Sequence, residues 1–304
     1  MKILIKNCTL VSMASGRPEY ENNMDILIEN ENISKIDKNI IEEADKIIDA
    51  KENVVMPGLI NTHCHLAMSI FRETVDGMGL QDWLEKKIWP IEDKLTAKEI
   101  YEASKISFRE MVETGTATVN DMYFFADETG KAAKEAGVRL YATRPMMDML
   151  GKEDGEARIK EIEDLAEKYK NDELITINAG LHGFYTSSKE YSKEAIEFAK
   201  NNNMILHMHF CENEKEVEDI QKAYNEIPIE VLKNEIQGTK AILAHCVKLS
   251  DKDIEEMSKI DADISIATCP VSNLKLGCGV ANISKMQEVG LNVTIGTDGQ
   301  GSRM

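Results

Sequence analysis

The stretch PGLINTHCH, residues 57–65, decides how the rest of the chain reads. Before it, short apolar segments (KILIKN, MDILIEN, ISKID and KIIDA) are separated by turns carrying Gly, Pro, Asn and Asp. They predict a small β module with no helix of its own. After it, apolar strands alternate with amphipathic helices. GLINTHCH (58–65) is the first of these strands, and it ends on two histidines spaced two residues apart.

Seven further strands follow: TATVNDM (116–122), VRLYATR (138–144), ITINAGLH (175–182), MILHMHF (204–210), KAILAHC (240–246), ADISIAT (262–268) and LNVTIGTD (291–298). Helical stretches lie between them. TAKEIYEASKISFREMVETG opens with a Thr96/Glu99 capping box and ends at Gly115. Ser187/Glu190 and Ser250/Asp253 predict two more helix starts. Eight strands alternating with helices fit an α/β fold of the (β/α)8 TIM-like barrel type, which typically takes about 250 residues. A doubly wound open sheet is the rival, but no GxGxxG follows the first strand, which weakens its dinucleotide-binding version. The expected division is residues 1–57 as the β module and 58–304 as the barrel.

The formal net charge of −18 repels phosphate backbones and anionic lipid, so nucleic-acid and membrane partners are disfavoured. No apolar run approaches the roughly 20 residues of a membrane span, and the start, MKILIKNCTLVSM, has no signal-peptide pattern. None of the six cysteines forms a CxxC pair. The expectation is a cytoplasmic protein with free thiols that acts on a small molecule, with room for a homo-oligomer.

A barrel carries its active site at the C-terminal ends of its strands. Here strand one ends His63-Cys64-His65, strand four at His182, strand five at His207-Met208-His209 with Glu212 beyond, strand six at His245 and strand eight at Asp298. All six histidines of the chain therefore lie at strand ends. Residues two apart on a strand face the same side, so His63 and His65 can grip one metal. Imidazole with carboxylate suits Zn²⁺, with Fe²⁺ the other candidate.

Plainer readings stand beside these. A lone HxH is a weak signal, and His182 by itself fits a hydrogen-bonded core histidine. Spacing cannot separate His207 from His209; His209 is nearer the mouth, which leaves His207 as a packed interior residue. Glu212 opens ENEKEVED, a pattern that ordinarily marks a solvated helix face. Cys64 and Cys246 alternate with inward residues and read as buried packing. The methionines, including Met146, Met147 and Met149, read as core filler.

Taken together, PGLINTHCH, the HxxE of His209 and Glu212, LAHC around His245, SNLKLG (272–277) and GTDG (296–299) resemble the amidohydrolase superfamily. WLEKKIWPIEDKL (83–95) and YATRP (141–145) narrow the resemblance to its methylthioadenosine/S-adenosylhomocysteine deaminases. The resemblance implies hydrolytic deamination of an adenosine-type nucleoside at C6. It implies one metal held by His63, His65, His209 and Asp298, and proton handling by Glu212, His245 and Asp298. It places His182 at the substrate, Glu92 on the ribose hydroxyls, Trp83 in the pocket, and Arg144 and Arg158 near the 5′ substituent. Strand four offers no lysine for a second metal. Glu73, where relatives often carry Gly, and HGFYTSS (182–188) depart from the pattern. So does the end: relatives continue past GTDG, and here GQGSRM follows. The expectation is a chain ending just after strand eight, with the C-terminal half of a small β-sandwich missing. Truncation, completion by a partner polypeptide or a degenerate copy would each account for it. Two other functions are carried beside the leading one: an aminohydrolase or chlorohydrolase of a guanine-like or triazine ring, and a catalytically inactive homologue.

Overall fold

The computed structural model describes residues 1–72 and 77–302, so Glu73 lies outside the described residues. The chain divides into two compact units, Met1–Leu59 and Ile60–Met304.

In the first unit, β1 (Lys2–Leu10), β2 (Glu21–Glu29), β3 (Asn32–Asp37) and β4 (Lys46–Asp49) form one mixed sheet ordered β3-β2-β1-β4, and β5 (Val54–Val55) also pairs with β1. The β1–β2 register slips between Ile5 and Cys8, where Asn7 takes a left-handed φ of 63°. The buried Asp25 carboxylate accepts from Asn7 N and Ile40 N, each at 2.9 Å, so a side chain replaces the ladder at this bulge. Leu4, Cys8, Leu10, Met24 and Ile26 are buried, while Ile33 and Ile47 are exposed.

The second unit is built on a parallel sheet: β6 (Leu59–His65), β7 (Thr116–Met122), β8 (Arg139–Met146), β9 (Ile175–Leu181), β10 (Leu206–Phe210), β11 (Lys240–His245), β12 (Asp263–Thr268), β13 (Asn292–Ile295) and β14 (Asp298–Gly299). Its order is β13-β12-β11-β10-β9-β8-β7-β6-β14. The first and last in this order, β13 and β14, are consecutive in the chain. The expected eighth strand over 291–298 is thus two short pieces. The first pairs with β12 and the second with β6. The switch occurs at Gly296, whose N donates to Thr268 O at 2.8 Å, and at Thr297, whose N donates to His63 O at 2.9 Å. Strand eight therefore closes the ring between strands seven and one, as a (β/α)8 barrel requires. Only glycine fits at this seam. A Cβ on Gly296 would lie 2.8 Å from His63 Cβ and 2.9 Å from Cys269 Sγ.

The strands read as near-continuous apolar runs because helices cover them outside and side chains fill them inside. Leu140, Ala142, Ile177, Ala179, Met208 and Leu243 are all buried. Helix Ala97–Glu113 begins at the expected Thr96/Glu99 capping box and buries Ile100, Ala103, Ser107, Phe108 and Met111 at helical spacing. Ser250/Asp253 also forms its box. The third expected start moves by one residue: Ser188, not Ser187, caps helix Lys189–Asn201. Asp148 decides this, accepting from Ser188 N at 2.7 Å and from its hydroxyl at 2.5 Å.

Candidate active site

His63 and His65 leave the same face of β6, as the two-residue period demands. His65 Nδ1 lies 2.6 Å from Met122 O, and His209 Nδ1 lies 2.8 Å from His182 O. A carbonyl oxygen only accepts, so both Nδ1 atoms carry hydrogens. The opposite nitrogens, His65 Nε2 and His209 Nε2, face each other at 3.3 Å. Asp298 Oδ1 stands 3.2 Å from His65 Nε2 and 3.4 Å from His63 Nε2. His63 Nε2 is buried and makes no well-formed hydrogen bond. Electron-rich atoms thus converge on one point, and they repel unless a cation, either a proton or a metal, lies between them.

Each of these side chains is held from behind. His207 Nε2 is 2.8 Å from His63 Nδ1, and its Nδ1 is 3.1 Å from Asn120 Nδ2, which also donates to Thr62 O. His207 is the packed interior histidine of the pair, and it also braces His63. Ser272 donates to Asp298 Oδ2. Asn273 Oδ1 accepts from His245 Nδ1 at 2.8 Å. Cys211 (φ 51°), His245 (φ 75°), Cys246 (φ 50°) and Asp298 (φ 59°) all adopt left-handed backbone at strand ends. Non-glycine residues hold that conformation only where surrounding contacts over-determine it.

The fully buried Glu212 and His245 are 3.6 Å apart, and Cys278 Sγ lies 3.6 Å from Glu212 Oε1. Burial raises the Glu212 pKa. For His245 burial works against charge, but the Glu212 and Asp298 carboxylates outweigh it and its pKa is raised. Burial also opposes the charge on Asp298, yet His63 and His65 hold its carboxyl well below the usual range. His65 is raised to about 9 against burial, by Asp298. His63 is pushed down to about 4, chiefly by burial.

Of these groups, His65, His209, Glu212, His245 and Asp298 line a cavity of about 540 Å³, with His63 buried behind them. The other expected residues, Trp83, Glu92, Arg144, Arg158 and His182, line its walls. Tyr123 donates to Glu92. Arg144 Nε donates to Glu161 at 2.9 Å, its guanidinium lies over Phe124, and its Nη1 is buried without a partner. Arg158 donates from Nε to Asp154 at 2.6 Å and from Nη1 to Pro145 O at 3.0 Å. His182 Nδ1 is 3.0 Å from Thr186 Oγ1. All six cysteines are free and buried. Cys64 and Cys246 sit in the main core, while Cys269 comes near His63 and His245. The sequence reading missed Asn120, Tyr123, Cys278 and the individual parts of Ser272 and Asn273. The motif SNLKLG pointed at the last two without saying what they hold.

Residues 54–303 match the sequence pattern described as the Amidohydrolase family. The chain belongs to the amidohydrolase family. Within this family it is 39% identical to the 5-methylthioadenosine/S-adenosylhomocysteine deaminase of Thermoanaerobacter pseudethanolicus, over 99% of this chain and 70% of that protein. It is 38% identical to the 5′-deoxyadenosine deaminase of Methanosarcina acetivorans, over 98% of this chain and 69% of that protein. Among solved structures, an adenosine deaminase from Xanthomonas campestris with bound zinc superposes with a TM-score of 0.91 at 24% identity, covering 99% of this chain and 70% of that one. At that identity the likeness speaks for the amidohydrolase fold. No helix among the described residues is long and apolar enough to cross a membrane.

Proposed function

We propose that this amidohydrolase is a metal-dependent aminohydrolase. It converts an adenosine-type nucleoside, of the 5′-methylthioadenosine or S-adenosylhomocysteine kind, to the inosine analogue and ammonia. The observation that carries the reading is the convergence of His63, His65, His209 and Asp298 beneath a cavity that also presents Glu212 and His245. The donor set fits a divalent metal: imidazole nitrogens and a carboxylate oxygen, with the atoms of the three histidines within 4.8 Å of one another. Zn²⁺ is the favoured ion, with Fe²⁺ the alternative. When bound, the metal acidifies water at the site and makes hydroxide available near neutral pH.

The protein's own groups do the rest. Asp298 and His245 take the proton from the attacking water. Asn273 fixes the His245 tautomer by holding its Nδ1 hydrogen, so that Nε2 does the accepting. Glu212, whose pKa burial raises, gives its proton to the ring nitrogen next to C6. Water adds at C6, the leaving amine takes up the proton that Asp298 and His245 accepted, the C6–N bond breaks to release ammonia, and the C6 hydroxyl returns its proton to Glu212 as C6=O forms. Glu92 binds the ribose hydroxyls, and Trp83 and His182 pack the nucleoside. Arg144 and Arg158 flank the 5′ substituent, and the buried Arg144 Nη1 is without a partner. The reading treats residues 1–57 as a small β module and 58–304 as the hydrolase barrel. It includes a cytoplasmic location, consistent with six free thiols, and leaves room for a homo-oligomer.

The test is direct: purified chain, metal content measured in the same preparation, and the ultraviolet change as adenine becomes hypoxanthine. Turnover of methylthioadenosine, S-adenosylhomocysteine or adenosine is expected, and metal-loaded protein that turns over none of them sinks the reading. Glu92→Gln separates a nucleoside from a free base. It raises KM for a nucleoside by about tenfold, the loss of one charged hydrogen bond, and leaves a free-base substrate unaffected. Equal effects on both remove the ribose assignment. His207→Ala, which takes away the brace on His63, weakens metal binding by about 10–100-fold in a chelator competition. Unchanged affinity shows that His63 needs no such support.

A further inference from the structure

The run ENEKEVED, residues 212–219, has the composition of a solvated helix face, yet two of its carboxylates are buried: Glu212 at 6% exposure and Glu216 at 3%. Glu216 lies in the first turn of helix Glu214–Tyr224, whose cap is Asn213. Asn213 Oδ1 accepts from Glu216 N at 3.0 Å. In a capping box the acidic side chain returns to the amide of the cap residue itself. Glu216 reaches further back: Oε1 accepts from Cys211 N and Oε2 from Glu212 N, each at 2.7 Å. Those two amides belong to the left-handed turn at Cys211 (φ 51°) that carries the chain out of β10. The direction of the Glu212 side chain depends on that turn. Around the Glu212 carboxyl itself, Cys278 Sγ gives only a weak thiol hydrogen bond at 3.6 Å, and His245 Nδ1, also at 3.6 Å, is too far for one. Precise aim must therefore come from the backbone.

We infer that Glu216 is a positioning residue for the reaction: it clamps the amides of Cys211 and Glu212 and so aims the Glu212 carboxyl into the pocket beside His245. The inference rests on the proton-handling role proposed for Glu212. Burial, with the nearby Glu212 charge adding, raises Glu216 to about 7 although two backbone donors pull it down. A carboxylate so costly to bury is hard to account for as a surface cap, where Asn213 already serves.

The experiment uses the metal-loaded chain. Wild-type turnover of the nucleosides is measured first. Glu216→Gln keeps the volume but sets an amide NH₂ against one of the two backbone N–H groups; Glu216→Ala removes both acceptors. A displacement of about 1 Å costs up to roughly 10²-fold, so kcat is expected to fall about tenfold in the Gln variant and about a hundredfold in the Ala variant. KM stays within about twofold and metal per chain is unchanged. Amide hydrogen exchange at Cys211 and Glu212 accelerates while the rest of the barrel keeps its protection. A kcat within twofold of wild type in both variants overturns the inference. So does a kcat loss that follows metal loss or general unfolding with exchange at these two amides unchanged, since that is what a plain helix cap predicts. If the wild-type chain turns over no nucleoside, the functional reading falls separately. The exchange at Cys211 and Glu212 then decides whether the clamp exists.

Discussion

Glu212→Gln lowers the deamination rate by about 10²–10⁴-fold, the usual contribution of a positioned acid or base, while metal content stays near that of the wild type. The substitution is nearly isosteric, so the buried site keeps its packing. It removes the one proton that this reading sends to the ring nitrogen. An adenine ring cannot accept hydroxide at C6 unless the electron pair displaced onto that nitrogen is neutralised, and among the described residues the other buried acid lining the cavity is Asp298. Asp298 is held ionised beside His63 and His65, and the raised pKa of Glu212 keeps it protonated to higher pH than an ordinary glutamate. Steady-state rates and metal analysis on one preparation check the result. Activity within tenfold of wild type removes the proton-donor role. A variant that loses its metal shows instead that Glu212 belongs to the ligand set.

Asp298→Ala, or exhaustive chelation of the wild type, abolishes turnover and lowers thermal stability; Zn²⁺ restores the chelated wild type but not the variant. The carboxylate is the only negative charge directly against His63 and His65 at this centre among the described residues. Without it, an ion would be held by neutral nitrogens alone. An ion bound only by the folded state stabilises it by about 4 kcal/mol when present at a thousandfold excess over its Kd. For a domain of this size that corresponds to a Tm difference on the order of 10 °C between metal-loaded and metal-free protein. Thermal melts with and without Zn²⁺, alongside metal analysis, read both effects. Identical melts for the two forms, or full activity after chelation, sink the metal centre.

Much of this site was legible because strand periodicity is local and steric. Alternation fixes that His63 and His65 share a face and that Cys64 does not, whatever the rest of the chain does. The barrel was legible for a similar reason. Apolar runs, capping boxes and glycine stops each leave a short-range signature, and eight such units in series admit few arrangements. The slips were local contests that long-range contacts won. Asp148, forty residues away, moved a helix start from Ser187 to Ser188. The ring closure at Gly296 broke the eighth strand in two.

The sequence by itself determined the inventory: which donors end which strands, that they are imidazoles and one carboxylate, and that no lysine accompanies them on strand four. Only the tertiary structure decided how they meet. His65 and His209 are 144 positions apart, and their 3.3 Å approach depends on strand register and tilt, to which no local pattern is sensitive. The same holds for the braces: His207 behind His63, Ser272 behind Asp298, Asn273 behind His245 and Glu216 behind Glu212. A charged run has one composition whether water or a buried turn receives it. Burial is a property of what packs against a residue, and that is settled by segments far away in the chain.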